Sequence, residues 1–492
     1  MITGIFKKKI ARDSSFLIIA SYIGQFIYFI RGFVIAKLLE PTLFGYLSGG
    51  RLINTITGQM HLGILHGMTR DFSIFKGADD VENFEKTKNS GISTISIICL
   101  IVVIVVITYT FFIQDRYSSY VIWSIRVFII VGFIDQMVFI CHALMRVESL
   151  FNRISISQIL KGVSSLILAI ILIIYFGFYG ALVATLCSST VPLWYLGKGM
   201  NIDFKFKIDK ERIKALFLTG VPISLIFFNS DIFHSLDRIL IVKYLNVTQL
   251  GYYSLALSVM TMVQNIPSSI SYIIYPKMLE VYGKSDRDIL SIQRYFNISS
   301  QINSIIIAAT VGFLVVSIEF AIYYLLSRYI EAVDVVIILS FSTFFMGVEM
   351  ISVRTLLTEK NFMILTIFQI IGMVLNLLLN IILIKMGYGI EGVAIGTSVA
   401  YVIYSSIVYY YTMSKFTKNI YQILINFTKV YWPILWVGII LVTMNKINIF
   451  NMDFSRTLWI NMGQLVVKIL IYFLLTIPLF LMVIKKILKE ML

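Results

Sequence analysis

The sequence predicts an all-α polytopic membrane protein of about 14 transmembrane helices, arranged as two parallel six-helix lobes plus two C-terminal helices. Three observations carry this reading. Of 492 residues, 58% are hydrophobic and only 14% charged, with a mean hydropathy of +0.88; soluble domains carry about 25% charged residues. The apolar residues fall in repeated blocks of about 18 or more, long enough to cross a hydrocarbon layer as helices. The chain also repeats itself at a period of 206–212 residues. Soluble enzymes are excluded.

The spans run near 15–37, 45–67, 91–113, 120–145, 153–176, 179–200, 215–242, 251–275, 297–318, 332–354, 362–384, 391–413, 421–444 and 459–484. The first follows a basic flank (Lys7, Lys8, Lys9, Arg12) without a small-residue cleavage site, which reads as a retained span rather than a signal peptide. Lys429 interrupts the thirteenth. Pro222 and Pro267 are predicted to break or kink helices 7 and 8, with Pro276 beside them. Gly387, Gly389 and Gly392 predict a tight turn before helix 12.

Net charge is +15, from 41 basic and 26 acidic residues. In a soluble chain that excess would suggest nucleic acid. Here, 28 of the 41 Lys and Arg lie in one set of alternate connections and seven in the other. That bias predicts two cytoplasmic termini and argues against a nucleic-acid partner. Cys99, Cys141 and Cys187 all lie inside apolar blocks, so no disulfide framework or metal cage is expected. Connections on the opposite side are short, and none of the longer inner ones holds a nucleotide-binding pattern.

Residues 38–48 (LLEPTLFGYLS) match 245–256 (LNVTQLGYYSLA), with Gly45 on Gly251. Residues 175–185 (YFGFYGALVAT) match 386–397 (MGYGIEGVAIGT), with Gly180 on Gly392. Each repeat holds six helices, so the copies share one orientation, an arrangement in which transporters place substrate between the halves. The divisions are 1–205, 206–413 and 414–492.

The segments IAKLLEPTLFGYLS, LGILHGMTRDFSIFKG (62–77), GVPISLIFFNSDIFHSLDRILIVKYLNVTQLGYYSLA (220–256) and SYIIYPKMLEVYGK (271–284) resemble the polysaccharide flippases. These form the Wzx-type (O-antigen or capsule) branch of the multidrug/oligosaccharidyl-lipid/polysaccharide superfamily. The resemblance spans about residues 15–415. It implies translocation of undecaprenyl-pyrophosphate-linked oligosaccharide units between leaflets by alternating access, for polysaccharide (lipopolysaccharide or capsule) biosynthesis. The implied partners are the lipid-linked oligosaccharide, membrane lipids and polysaccharide polymerase or assembly proteins, with helices 13 and 14 as a lipid groove or docking surface.

A charge inside the bilayer costs about 2.5–3.5 kcal/mol on insertion scales, so intramembrane ionisable residues are candidates for function. The first lobe supplies Arg31, Arg51, Arg126 and Lys161 against Asp135; the second supplies Arg238 against Asp231, Asp237 and Glu349. Helical spacing aligns Ser21, Gly24, Tyr28 and Arg31; Arg51, Asn54, Gly58 and His61; and Ser157, Lys161, Ser164 and Ser165. It also aligns Asp231 with Ser235 and Arg238, Asn265 with Ser258 and Ser268, and Asn376 with Gln369 and Asn380. The cationic residues suit a pyrophosphate, and Asn54, Asn265 and Asn376 suit sugar hydroxyls. Asp231 and Glu349, with Asp135, are candidates for coupling to H⁺ or Na⁺; no other cofactor is expected.

Each assignment has a structural alternative. Arg31, Arg51 and Arg126 lie roughly 10 Å from an outer boundary, within snorkelling range. The polar stripes suit helix–helix bonding, and Asp135 with His142, or Asp231 with His234, suits simple pairing. Asp286-Arg287-Asp288 forms a DxD without the α/β domain that would give it a nucleotide-binding role. The competing functions are a multidrug antiporter of the same superfamily, a membrane polymerase or ligase acting on the same lipid, and a lipid II flippase. No enzymatic activity is expected.

Overall fold

A computed structural model describes residues 23–148, 150–198, 205–359, 361–446 and 457–491. Among them there is no strand. In chain order the helices are α1 (23–38), α2 (Pro41–Thr57), α3 (Ile64–Gly77), α4 (Val81–Ile113), α5 (Ser119–Val147), α6 (Phe151–Lys198) and α7 (Lys210–Tyr244). They continue as α8 (Val247–Lys284), α9 (Gln293–Leu325), α10 (Val333–Thr358), α11 (Phe362–Lys385), α12 (Gly389–Phe416), α13 (Ile420–Lys446) and α14 (Leu458–Met491). Ten of these helices are long and apolar enough to cross a membrane among the described residues. The basic N-terminal flank, Ser21 and the loop 447–456 lie outside the described residues.

Two elements change the predicted span list. The helix expected at 45–67 is broken: α2 ends at Thr57 and α3 begins at Ile64. Leu62 and Gly63 take positive φ (47° and 83°) between them. A Cβ on Gly63 would sit 2.6 Å from the Gly220 backbone, so α3 and α7 can approach only through bare backbone. Conversely, α6 carries two predicted spans, joined at Gly177 (φ 54°, ψ −129°). The matching residue of the second repeat, Gly389, has φ 55° and turns α11 into α12. The prolines do not break their helices: α7 runs on through Pro222 and α8 reaches Lys284.

Several helices outrun their apolar blocks. The start of α4 extends to Val81, where Asp80 accepts the Asn83 backbone N–H at 3.0 Å. The Asn83 side-chain amide, and then that backbone contact, hold the Asp80 carboxyl below the ordinary range. The end of α8 is held by Glu280, which accepts from Lys277 at 2.9 Å and Lys284 at 2.6 Å.

The chain divides into two compact units, Met1–Ser254 and Leu255–Leu492. In the first, α5 packs against α2, α3, α4 and α6, and α7 covers α3. A cluster of Met68, Phe72, Ile95, Ile129 and Leu144 fills its core. Here the repeat becomes a contact. Thr42 bonds Thr248 at 2.8 Å, and Ser254 donates to Ser48 at 2.6 Å, each pair 206 residues apart. A Cβ on Gly45 would fall 1.9 Å from the Val247 oxygen, and one on Gly251 1.9 Å from the Pro41 oxygen. The crossing of α2 with the first turns of α8 therefore obeys a local two-fold.

In the second unit, α9 packs against α10, α13 and α14, and α12 against α10 and α11. Phe296, Phe344, Tyr409 and Tyr472 are fully buried there. Tyr472 donates to the Ala309 carbonyl at 2.8 Å, filling the space left by Gly312.

Candidate functional site

The first unit encloses a polar cavity of about 320 Å³, lined in part by Tyr28, Arg31, Arg51, Asn54, Asp135 and Lys161. Four helices supply these groups: α1, α2, α5 and the first half of α6. From the faces predicted on helices 1, 2 and 5, Tyr28, Arg31, Arg51, Asn54, Lys161 and Ser165 meet on this volume, whereas Gly24, Gly58, His61, Ser157 and Ser164 do not line it. Thr185, Ser188 and Ser189 from the second half of α6 complete the wall. Thr185 was not singled out from the sequence, although it closes the repeated motif YGALVAT.

Arg31 is 8% exposed and gives one bond, from Nη2 to Thr185 Oγ1 at 2.9 Å. Its Nε, Arg51 Nη2 and Asn54 Oδ1 are buried without a protein partner among the described residues. Among the described residues neither arginine has a carboxylate within 4 Å. A buried guanidinium N–H left unsatisfied costs about 1–3 kcal/mol or more, so an anion able to accept several hydrogen bonds is the ligand this geometry favours.

Lys161 and Asp135 behave differently. Lys161 Nζ lies 2.5 Å from Asp135 Oδ1, with 27% and 22% of the two side chains exposed. The expected pairing of Asp135 with His142 does not occur, because His142 Nε2 bonds Ser157 Oγ at 2.9 Å. Spacing along one helix cannot anticipate this choice, since the lysine belongs to α6. The pair leaves the two arginines as the unopposed charge of the cavity.

The remaining candidates lie elsewhere. The Arg126 guanidinium sits over Phe111 (4.4 Å) and Trp123 (5.4 Å) and donates from Nε to Thr110 at 2.8 Å, away from this cavity. Arg238 reaches Ser235 Oγ at 3.1 Å beside Asp237, whose Oδ2 accepts from Tyr253 at 2.6 Å. It is nonetheless a charged neighbour of Arg51, as Arg31 is. Asp231 Oδ2 accepts from Gln59 Nε2 at 2.9 Å in a separate pocket. Gly58 and His61 line that second pocket too, because the helix carrying Arg51 and Asn54 stops at Thr57.

In the second unit, Glu349 on α10 faces the Tyr404 hydroxyl of α12. Asn265 on α8 is partly buried. Asn376 is 1% exposed, and its amide donates to Thr397 Oγ1 at 3.0 Å while its oxygen accepts from Asn380 at 3.1 Å. This places Asn376 in the α11–α12 seam. No group of three His, Cys, Asp or Glu side chains suited to a metal occurs among the described residues.

Residues 10–281 match the sequence family described as "Polysaccharide biosynthesis protein". The chain belongs to that family. No curated protein matches it. Among solved structures, it is similar to a lipid II flippase, MurJ, in an inward closed conformation, at 15% identity and a TM-score of 0.72, with 96% of this chain and 99% of that one covered. An inward-facing multidrug resistance MATE family transporter of the MOP superfamily gives 16% identity and a TM-score of 0.66, covering 80% and 94%. A MOP superfamily transporter from Pyrococcus furiosus, described by the reversed polarity of its binding pocket, gives 16% identity and a TM-score of 0.54, covering 83% and 96%. This member of the polysaccharide biosynthesis family therefore has the fold of MOP transporters, as the resemblance of residues 220–284 implied. It is a multi-pass membrane protein.

Proposed function

We propose that this protein is a flippase that carries an undecaprenyl-pyrophosphate-linked oligosaccharide from the cytoplasmic to the outer leaflet of a bacterial inner membrane, with both termini cytoplasmic. The observation that carries the reading is the pair of buried arginines around the cavity of the first unit, with N–H groups that have no protein partner among the described residues. A diphosphate supplies several acceptor oxygens, and a guanidinium meets two of them in parallel. A cationic drug would instead be repelled by Arg31 and Arg51, which disfavours the antiporter alternative.

The second unit, taken by itself, presents a surface that suits lipid. An apolar groove of about 490 Å³ is lined by Phe341 and Phe345 of α10 and by Ile434, Leu435, Ile439 and Val442 of α13. Glu349 is the acid we assign to coupling with H⁺ or Na⁺, because it lies apart from any cation among the described residues, whereas Asp135 is paired with Lys161 and Asp231 lines the pocket at the end of α2. The products would pass to a polysaccharide polymerase or its assembly partners.

The deciding experiment locates undecaprenyl-linked sugar units by leaflet after deletion of the gene. Accumulation of completed units on the cytoplasmic face supports the flippase. Single units stranded outside would indicate a polymerase or ligase. Normal intermediates with heightened sensitivity to cationic dyes would indicate a drug antiporter. In the same assay, Glu349→Gln is expected to abolish dependence on the ion gradient.

A further inference from the structure

The break between α2 and α3 opens a second pocket in the first unit, of about 240 Å³. This is below the ~300–1,000 Å³ typical of drug-sized ligands, in the size class of one sugar ring. Gln59, His66, Phe139, Arg146, Phe227 and Asp231 are among its lining residues. Phe139 and Phe227 are 47% and 51% exposed. The His66 ring stacks on that of Phe227, with centroids 5.1 Å apart and 17° between planes, which braces the phenylalanine ring and leaves its other face for a ligand. An exposed phenylalanine on a membrane protein ordinarily faces lipid. Here it shares its wall with a carboxylate, an amide and a guanidinium, which a lipid chain would not wet.

The polar groups are held in advance. The Gln59 amide is clamped, with Oε1 accepting from Ser224 and Nε2 donating to Asp231, both at 2.9 Å. That fixes the carboxylate and leaves Asp231 Oδ1 without a protein partner among the described residues. The break itself is secured by Gln136, whose Nε2 donates to the carbonyls of Thr57 (2.7 Å) and Gly58 (3.0 Å). These carbonyls close the end of α2, and binding them inside the membrane keeps the irregular backbone in place.

We propose that this pocket binds the pyranose ring nearest the diphosphate, stacking its C–H face on Phe227, which His66 backs, and donating a hydroxyl to Asp231. This rests on the flippase reading above and extends it to a sugar subsite. Flat aromatic walls meet the apolar face of a sugar, and a fixed carboxylate accepts from its hydroxyl edge. A bare anion is disfavoured, because Asp231 stands in the wall. Asn54 lines the cationic cavity and Gly58, just past the end of α2 at Thr57, lines this pocket, four residues on and about 6 Å at 1.5 Å per residue, so the two pockets flank the end of α2.

The test measures binding of two probes to the full chain in nanodiscs: undecaprenyl pyrophosphate, and the same lipid carrying one glucosyl residue. Phe227→Ala and Asp231→Asn are expected to weaken the glycosylated lipid about tenfold while leaving the bare lipid unchanged. Phe227→Trp, which keeps the stacking plane, is expected to restore affinity. Arg51→Ala should weaken both probes. Equal binding of the two lipids by wild type, or equal loss of both in Phe227→Ala, overturns the sugar subsite. If Arg51→Ala still weakens both lipids in that case, the flippase reading survives. Binding of neither lipid by wild type overturns both.

Discussion

Thr185 and Thr397 occupy the same position in the two repeats, 212 residues apart, yet they serve different neighbours. Thr185 accepts from the guanidinium of Arg31, whereas Thr397 accepts from the neutral amide of Asn376. The two units show the same contrast more widely. Among the described residues, buried groups without partners in the first include N–H groups of Arg31 and Arg51, both of the first repeat. Those in the second are neutral oxygens, such as Asn297 Oδ1, Ser300 Oγ and Gln369 Oε1. One helical plan thus carries a cationic cavity in one copy and a neutral, bonded seam in the other. Backbone periodicity sets the plan, and a few side chains decide whether a position binds a ligand or a neighbouring helix.

The largest effect that tests this contrast is loss of the arginines. Each charge-assisted bond contributes about 1.5–3 kcal/mol, so Arg31→Ala or Arg51→Ala should lower affinity for undecaprenyl pyrophosphate by about 10- to 150-fold. Arg51→Lys should recover only part of that, because an ammonium lacks the planar fork. Retained affinity in the double variant would remove the distinction between the units.

A smaller effect of opposite sign is expected at Asp135. Asp135→Asn releases Lys161 from its ion pair and removes a negative charge from the cavity wall, which should strengthen diphosphate binding about three- to tenfold. Weaker binding would mean that the carboxylate positions the cavity and does not merely offset its charge.

In the second unit, Asn376→Ala should lower thermal stability by about 0.6–2 kcal/mol through the α11–α12 seam, with diphosphate affinity unchanged. A loss of affinity with intact stability would make this seam a binding surface after all.

The smallest effect concerns charge outside the membrane. Lys284 and Lys277 hold the Glu280 carboxyl down to about 2, below the ordinary value of about 4.3. A depressed carboxylate stabilises the fold above the unfolded value, and that contribution is lost as pH falls through the folded one. Amide exchange at the end of α8, corrected for intrinsic rates, should therefore rise between about pH 4 and pH 2. In Glu280→Gln the corrected rates should show no such rise.

Much of the site was legible in the sequence because charge inside an apolar block is costly and therefore conspicuous. Arg31, Arg51, Asn54, Lys161 and Asp135 stood out individually, and helical spacing put them on coherent faces. Their partners did not stand out. The Lys161–Asp135 pair joins α6 to α5, and the Arg31–Thr185 bond joins α1 to the second half of α6. Nothing in the spacing of one helix encodes its neighbour's rotation. The second pocket was hidden for a different reason: residues 45–67 read as one apolar run, so Gly58 and His61 were assigned to the face of Arg51.

By itself, the sequence determined the membrane class, the repeated helical plan, the family and most of the charged cavity residues, because hydrophobicity, period and buried charge are properties of the chain alone. The tertiary structure alone decided where α2 ends, which carboxylate neutralises which cation, and which polar residues face a cavity and which are locked in a seam. Those choices depend on what a neighbouring helix presents at each contact: bare backbone at Gly220, an amide at Gln136, a lysine at 161. The helices must be packed before any of them is made.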